Sequence, residues 1–227
     1  MSDLRGPRPG VGERGVWVPD PAHRKDLAIF AEHAQRLDDA AVIRLRTRTD
    51  DLVGAWVVTG FDVLAARVVA GHIRPVDFSC AAATLASGLR AAEDTGFYDP
   101  GYPMDSAWRG VLPPEAGFLH LDDVPVSVFV ELARAGADLA REHGSAHGPP
   151  ASLLDQEVLQ VGRGPSVVGV PMRCVLALAA MRFLPEATAV DGETDIVRVR
   201  ALPMWLRIDA RFGSVFRRRG DPVLVLR

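Results

Sequence analysis

The sequence predicts an α+β protein. Two helix-strand-strand-helix units are expected around a mostly antiparallel sheet, with extra strands at the C-terminal end. Three observations carry this. Apolar residues recur at helical spacing in some segments and alternate at strand spacing in others. The order helix, strand, strand, helix reads twice, on either side of a stretch rich in Gly, Pro and Asp. From Ile196 on, short alternating runs are separated by turn residues.

Residues 1–15 are polar and rich in Gly, Pro and Arg, and are expected to be a disordered arm. The first unit is expected over 16–95. Asp20-Pro21 supplies an N-cap and a first-turn proline, and Leu27, Phe30, Ala34 and Leu37 form one stripe on a helix over 22–38. Val42–Arg46 and Ala55–Val58 read as strands around the polar turn Thr47–Asp51. Phe61–Ala70 reads as a helix ended by Gly71, and Asp77 as the cap of an alanine-rich helix over 78–92.

Residues 96–117 form the connection, with Tyr98, Tyr102 and Trp108 interspersed in it and the tryptophan placed to anchor it. The second unit is expected over 118–227. Asp122-Asp123 reads as an N-cap pair before a helix over 126–142, and Gly144–Pro150 as a loop. Glu157–Val161 and Val167–Val170 read as strands around a turn at 162–165. The helix over 172–183 is apolar nearly all round between Arg173 and Arg182, which implies core or a homodimer surface. Ile196–Ala201, Met204–Ala210, Val215-Phe216 and Val223–Leu226 read as the extra strands. A weak internal repeat would set Val42–Leu45 against Val158–Val161, Ala55–Val58 against Val167–Val170, and Val63–Ala65 against Val175–Ala177.

Composition bounds the function. The net charge is −3, so no global basic field draws the chain to nucleic acid or an anionic membrane. No apolar run reaches the ~20 residues that span a bilayer. The polar N-terminus lacks the apolar stretch of a signal peptide, and Cys80 and Cys174 are lone thiols among apolar residues. A cytoplasmic protein is expected. No phosphate loop, dinucleotide fingerprint, zincin or nucleophile-elbow motif is present, and the six histidines lack metal-site spacing. His143 and His147 are four apart, but Gly144 between them argues for a solvated loop. No cofactor and no metal are expected, and the balance is against an enzyme.

Of the 26 basic residues only Lys25 is a lysine, which a GC-rich genome explains. The arginines nonetheless fall in a pattern. Arg44, Arg46 and Arg48 alternate along one strand, and Arg198 and Arg200 along another. Arg207, Asp209 and Arg211 share one face of a third. Joined in one sheet they would form a basic face, and the guanidinium fork suits phosphate and carboxylate. The plainer reading is a wet sheet face. An anionic ligand or acidic protein partner follows from the first reading. Nucleic acid is not favoured, because its binders carry a basic domain and interleaved aromatics, and Trp205 is the only aromatic on those three strands. Trp108, Arg109, Trp205 and Asp209 are candidates for a pocket between the halves, the alternative being an enzyme with a site there. Asp155 with Glu157 reads as solvated charge, and Arg217-Arg218-Arg219 as a charged hairpin tip.

Five segments carry a resemblance: SAWRGVLPP (106–114), LDDVP (121–125), LLDQEVLQV (153–161), VPMRCVLAL (170–178) and WLRIDARFGSV (205–215). Together they resemble a family of uncharacterised actinobacterial proteins of this length, from about Trp17 to Val215. The resemblance implies a cytoplasmic protein, and it brings no assigned activity and no catalytic residue.

Overall fold

The computed structural model describes residues 14–49, 51–92, 96–143, 148–163, 166–185 and 195–219. The arm as far as residue 13, the histidine at 147, the turn residues Gly164 and Pro165, and the strand expected at Val223–Leu226 lie outside them. The chain divides into two compact units, one of residues 1–57 and 67–109, the other of 58–66 and 110–227.

The first unit opens with β1 (Gly15–Trp17) and α1 (Pro21–Leu37). The Asp20 carboxylate accepts from the Ala22 and His23 amides at 2.7 and 3.0 Å, satisfying two of the donors a helix start leaves free. These amide donors hold its pKa below the usual value. Leu27, Phe30 and Ala34 are buried, as their spacing requires, whereas Leu37, the last of the expected stripe, ends the helix 37% exposed. β2 (Val42–Thr49) and β3 (Leu52–Val58) form an antiparallel hairpin, with Ile43 and Leu45 inward and the arginines opposite. β6 (Asp77–Ala81) pairs antiparallel with the other edge of β2 and runs directly into α2 (Ala82–Ala91). α1 packs on α2, and Leu27, Phe30, Leu85 and Leu89 are buried on the two helices. Each fully buried large side chain of this kind contributes about 2 kcal/mol. β5 (His72–Arg74) and β7 (Phe97–Tyr98) flank β1 in a small second sheet.

The first unit departs from expectation in two places. Phe61–Ala70 is not helical: Leu64–Ala70 is a strand, β4. Its sequence LAARVVA satisfies either period, and burial of three successive residues, Leu64 to Ala66, decides for a covered strand. Asp77 caps no helix, since α2 starts five residues later without a side-chain cap.

In the second unit β8 (Leu119–Pro125) runs directly into α3 (Val126–His143). Asp122 and Asp123 are therefore strand residues rather than a cap pair. Pairing with β11 (Ile196–Leu202) shifts register between Val199 and Arg200, leaving Leu121 as an extra residue. This bulge puts the buried Leu121 and Val124 three apart, so no period-two signal exists to read. β12 (Trp205–Ala210) and β13 (Gly213–Arg218) continue the antiparallel order, and Ala66, Ala65 and Leu64 of β4 pair with Ser214, Val215 and Phe216 of β13. After α3 comes the short α4 (Ala151–Asp155). β9 (Glu157–Arg163) and β10 (Ser166–Pro171) then make a separate antiparallel hairpin that leads straight into α5 (Met172–Ala180).

α5 is buried from Met172 to Leu178 against α3, α4, β10 and β13. It is core, and its apolar surface is covered within its own unit rather than kept for a second copy. Gly136 of α3 makes room for the Met172 thioether. Of the segments the repeat would align, β2–β3 and β9–β10 are both antiparallel hairpins. The repeat fails at Val63–Ala65 against Val175–Ala177, where a strand faces a helix.

Candidate functional site

The candidate arginines divide between the units: Arg44, Arg46 and Arg48 in the first, Arg198, Arg200, Arg207 and Arg211 in the second. Six of them face a carboxylate: Arg44, Arg46, Arg198, Arg200, Arg207 and Arg211.

On β2 the register sets Arg46 opposite Asp77 and Arg44 opposite Ser79 of β6. Arg44 grips Asp77 with both ends of its fork, Nε and Nη2 each donating at 2.7 Å. That hydrogen-bonded charge raises the pKa of Arg44 above its ordinary value. The guanidinium also lies 6.0 Å from the Trp108 ring centroid, within cation–π range. Arg46 reaches the same carboxylate only at 3.9 Å, and the Arg48 stem lies beside Gly54.

In the second unit Asp209 is the hub. Arg200 stands across from Arg207 in the β11–β12 ladder, which brings both guanidinium groups to one carboxylate. Arg207 Nε donates to Asp209 Oδ1 at 2.7 Å, the Ser214 hydroxyl donates to the same oxygen at 2.5 Å, and Arg200 Nη1 donates to Oδ2. Arg207 is also stacked at 5.7 Å from Phe118 and 5.3 Å from Phe216. Arg198 and Arg211 are held loosely, each 3.7 Å from its carboxylate, Asp123 and Asp195.

The pocket candidates have local tasks. Arg109 donates to the Ser106 carbonyl at 2.8 Å, and Trp205 is buried on β12 opposite Arg218. Asp209 accepts hydrogen bonds from three donors of its own unit, Arg200, Arg207 and Ser214. Among the described residues no group of histidine, cysteine and acidic side chains is arranged to hold a metal ion. No helix among them is long and apolar enough to cross a membrane.

Two charged centres escape sequence reading. Arg173, buried on α5, donates to the Phe61 carbonyl at 2.8 Å and to Asp155 at 2.5 Å. Arg217 also reaches Asp155, at 3.2 Å. Hydrogen bonding from Arg173 holds the Asp155 carboxyl below its usual pKa. The only available signal is a lone arginine in an apolar helix. Arg14 donates to the carbonyls of Gly101 and Ser79 at 3.0 and 3.2 Å and covers the Phe78 ring at 4.7 Å. In sequence it falls within the expected arm, where nothing marks it.

Two α+β units, each built of helices packed on antiparallel strands, define the class of fold, and solved structures share it. Over 92% of its length the chain is similar to a putative DNA polymerase III beta subunit from Eubacterium rectale, with a TM-score of 0.58 and 9% identity. It matches the DNA polymerase sliding clamp of Bacillus subtilis over 92% at a TM-score of 0.55 and 10% identity. The Caulobacter crescentus beta sliding clamp matches over 92% at 0.54 and 14%. The chain spans about two thirds of the length of these proteins. At such identities the likeness is one of fold. Residues 11–110 match a family described as Domain of unknown function (DUF8010), and residues 113–222 one described as Domain of unknown function (DUF8185). The resemblance to a family without an assigned activity thus stands for both halves. No curated protein matches the sequence significantly.

Proposed function

We propose that the chain is a non-enzymatic, cytoplasmic binding protein that uses a sliding-clamp fold to hold a macromolecular partner, with DNA as that partner, the fold likeness outweighing the net charge of −3 that counts against nucleic acid in the sequence. The observation behind the reading is the likeness over 92% of the chain to proteins described as sliding clamps. On this reading the contacts fall to the arginines whose internal pairs are loosest. Arg46, Arg198 and Arg211 have side chains 47%, 50% and 58% exposed, with carboxylates 3.9, 3.7 and 3.7 Å away. Such pairs are worth little in water and exchange readily for a phosphate. Arg44, Arg200 and Arg207 are committed to Asp77 and Asp209 and serve to position the strands.

The test is fluorescence anisotropy of labelled duplex and single-stranded DNA across a salt series. The wild-type chain is expected to bind at low salt, with affinity falling as salt rises. Replacing Arg46, Arg198 and Arg211 together by alanine should weaken binding and lower the slope of log K against log salt by roughly 0.9 for each duplex phosphate that is no longer neutralised. Absence of binding to either DNA at low salt would overturn the DNA reading and point to an acidic protein partner. An unchanged slope in the triple variant would remove these arginines from the contact.

A further inference from the structure

A buried guanidinium carries several donors, and each one left unpaired keeps its desolvation cost. Among the described residues Arg173 is the one buried arginine, 8% exposed, and its donors are only partly met. Nη1 donates to the Phe61 carbonyl at 2.8 Å, and Nη2 to Asp155 Oδ1 at 2.5 Å. Nε is buried and has no partner. Asp62 lies 3.8 Å from Nη1, but its side chain is 91% exposed and compensates little. Nε and Nη2 are the two donors of one guanidinium edge, the edge that on Arg44 closes fully on Asp77. On Arg173 that edge is half filled.

The second part of the arrangement is Arg217. Its Nη2 donates to the same Asp155 Oδ1 at 3.2 Å, so a single carboxylate oxygen serves both guanidinium groups. All of these residues belong to the second unit. The carboxylate is the part free to leave. Its side chain is 52% exposed and it ends α4, a helix of five residues, whereas Arg173 is held in the buried run of α5. A phosphoryl group offers three acceptor oxygens at tetrahedral spacing, enough to meet Arg173 Nε, Arg173 Nη2 and Arg217 together. We propose that Arg173 and Arg217 form a site for a phosphoryl group, as inorganic phosphate or a phosphate monoester, and that Asp155 fills it as an internal stand-in when no such anion is bound. The site shares no residue with Arg46, Arg198 and Arg211, so it stands whether or not DNA is the partner.

The test follows the arginine Nε–H resonances by NMR while inorganic phosphate, or in a second arm ribose 5-phosphate, replaces chloride at constant ionic strength. In the wild type the Arg173 Nε–H signal is expected to move downfield as the anion is added, because an unpaired donor gains an acceptor. Asp155→Ala removes the internal competitor, and its apparent phosphate affinity should rise about tenfold, because the site is no longer occupied in the free chain. Arg217→Gln should weaken binding. Tighter binding of ribose 5-phosphate assigns the site to a monoester, and tighter binding of phosphate assigns it to the free anion. An Arg173 signal that stays in place in both arms, in the wild type and in Asp155→Ala, would overturn the site. A response that Arg217→Gln leaves unchanged would mean an adventitious ion only, and would overturn it as well. An affinity no higher in Asp155→Ala than in the wild type would overturn the stand-in. If Asp155→Ala does not fold, Asp155→Asn, which keeps the size of the side chain and removes its charge, is read by the same signal, with the same outcomes deciding.

Discussion

The two units use similar arginine-bearing strands in different ways. In the first, Asp77 is 30% exposed and receives one bidentate guanidinium, with a second arginine loosely beside it. In the second, Asp209 is 14% exposed and receives two guanidinium groups and a hydroxyl. The contrast recurs on the helices. Between α1 and α2 the charge pair Glu32–Arg90 lies at the surface, whereas α5 carries Arg173 into the interior. Alternating arginine and valine therefore fixes which side of a strand is polar, while the depth of the polar side depends on what covers it. Phe118, arriving from outside the hairpin, shields Arg207 in a way that Trp108, at the limit of cation–π reach, does not shield Arg44.

If depth governs cost, the largest effect falls at Asp209. Asp209→Ala leaves Arg200 and Arg207 facing each other without a counter-charge, half-buried, with the Ser214 hydroxyl unpaired. Removing one side of such a cluster is expected to cost about 2–3 kcal/mol, because the remaining charges keep their desolvation penalty. Urea unfolding measures this directly. A loss within error of zero would mean that water reaches the cluster freely, and the contrast between the units would collapse.

The sequence is most legible where chemistry punctuates it. Asp20-Pro21 marks the start of α1, and the alternating runs at Val42–Arg46 and Ile196–Ala201 mark β2 and β11. It is least legible where a strand enters a helix without a break. β6 into α2 and β10 into α5 have no side-chain cap to mark the change, β8 runs into α3 without a break, and Asp77 and Asp122-Asp123 resemble caps because nothing else nearby does. β4 is hidden by alanine, which fits either period, and β8 by its bulge at Leu121. The arginines can be found in the sequence, but their partners cannot. Asp77 lies 33 residues from Arg44, and the pairing exists only through the β2–β6 register. The contacts at Ser79 are equally hidden, since Arg14 lies 65 residues and Asp105 26 residues away in sequence.

A second prediction concerns a property the units share. Cys80 lies in the first and Cys174 in the second, and burial pushes both thiols up from 9.0 to about 12. A folded pKa raised above the unfolded value gives stability that is complete below pH 9 and is lost as pH rises toward 12. In that window the unfolded chain gains by ionising, and the folded chain does not. By pH 10 each thiol is expected to cost about 1 kcal/mol relative to pH 8. Cys80→Ala and Cys174→Ala should each remove one such share of the pH dependence, in equal measure, read as the change in unfolding free energy between the two pH values. Unequal shares would show that the units differ in how their cores admit water and not only in how their sheet faces do.

The smallest effect, and the sharpest test of the contrast, is Asp77→Ala. Arg44 is then left without its carboxylate, but Asp77 is 30% exposed against 14% for Asp209, only one guanidinium is closely bound to it, and the Trp108 ring remains beneath Arg44. The expected loss is about 0.5–1 kcal/mol, that of a partly exposed pair, and added salt should shrink it, since screening acts on charges that water can reach. Asp209→Ala should respond less to salt. Equal losses at the two carboxylates, or equal salt dependence, would mean that the register and pairing pattern, common to both units, sets the energetics. The shielding supplied by Phe118 in the second unit alone would then carry no energetic weight.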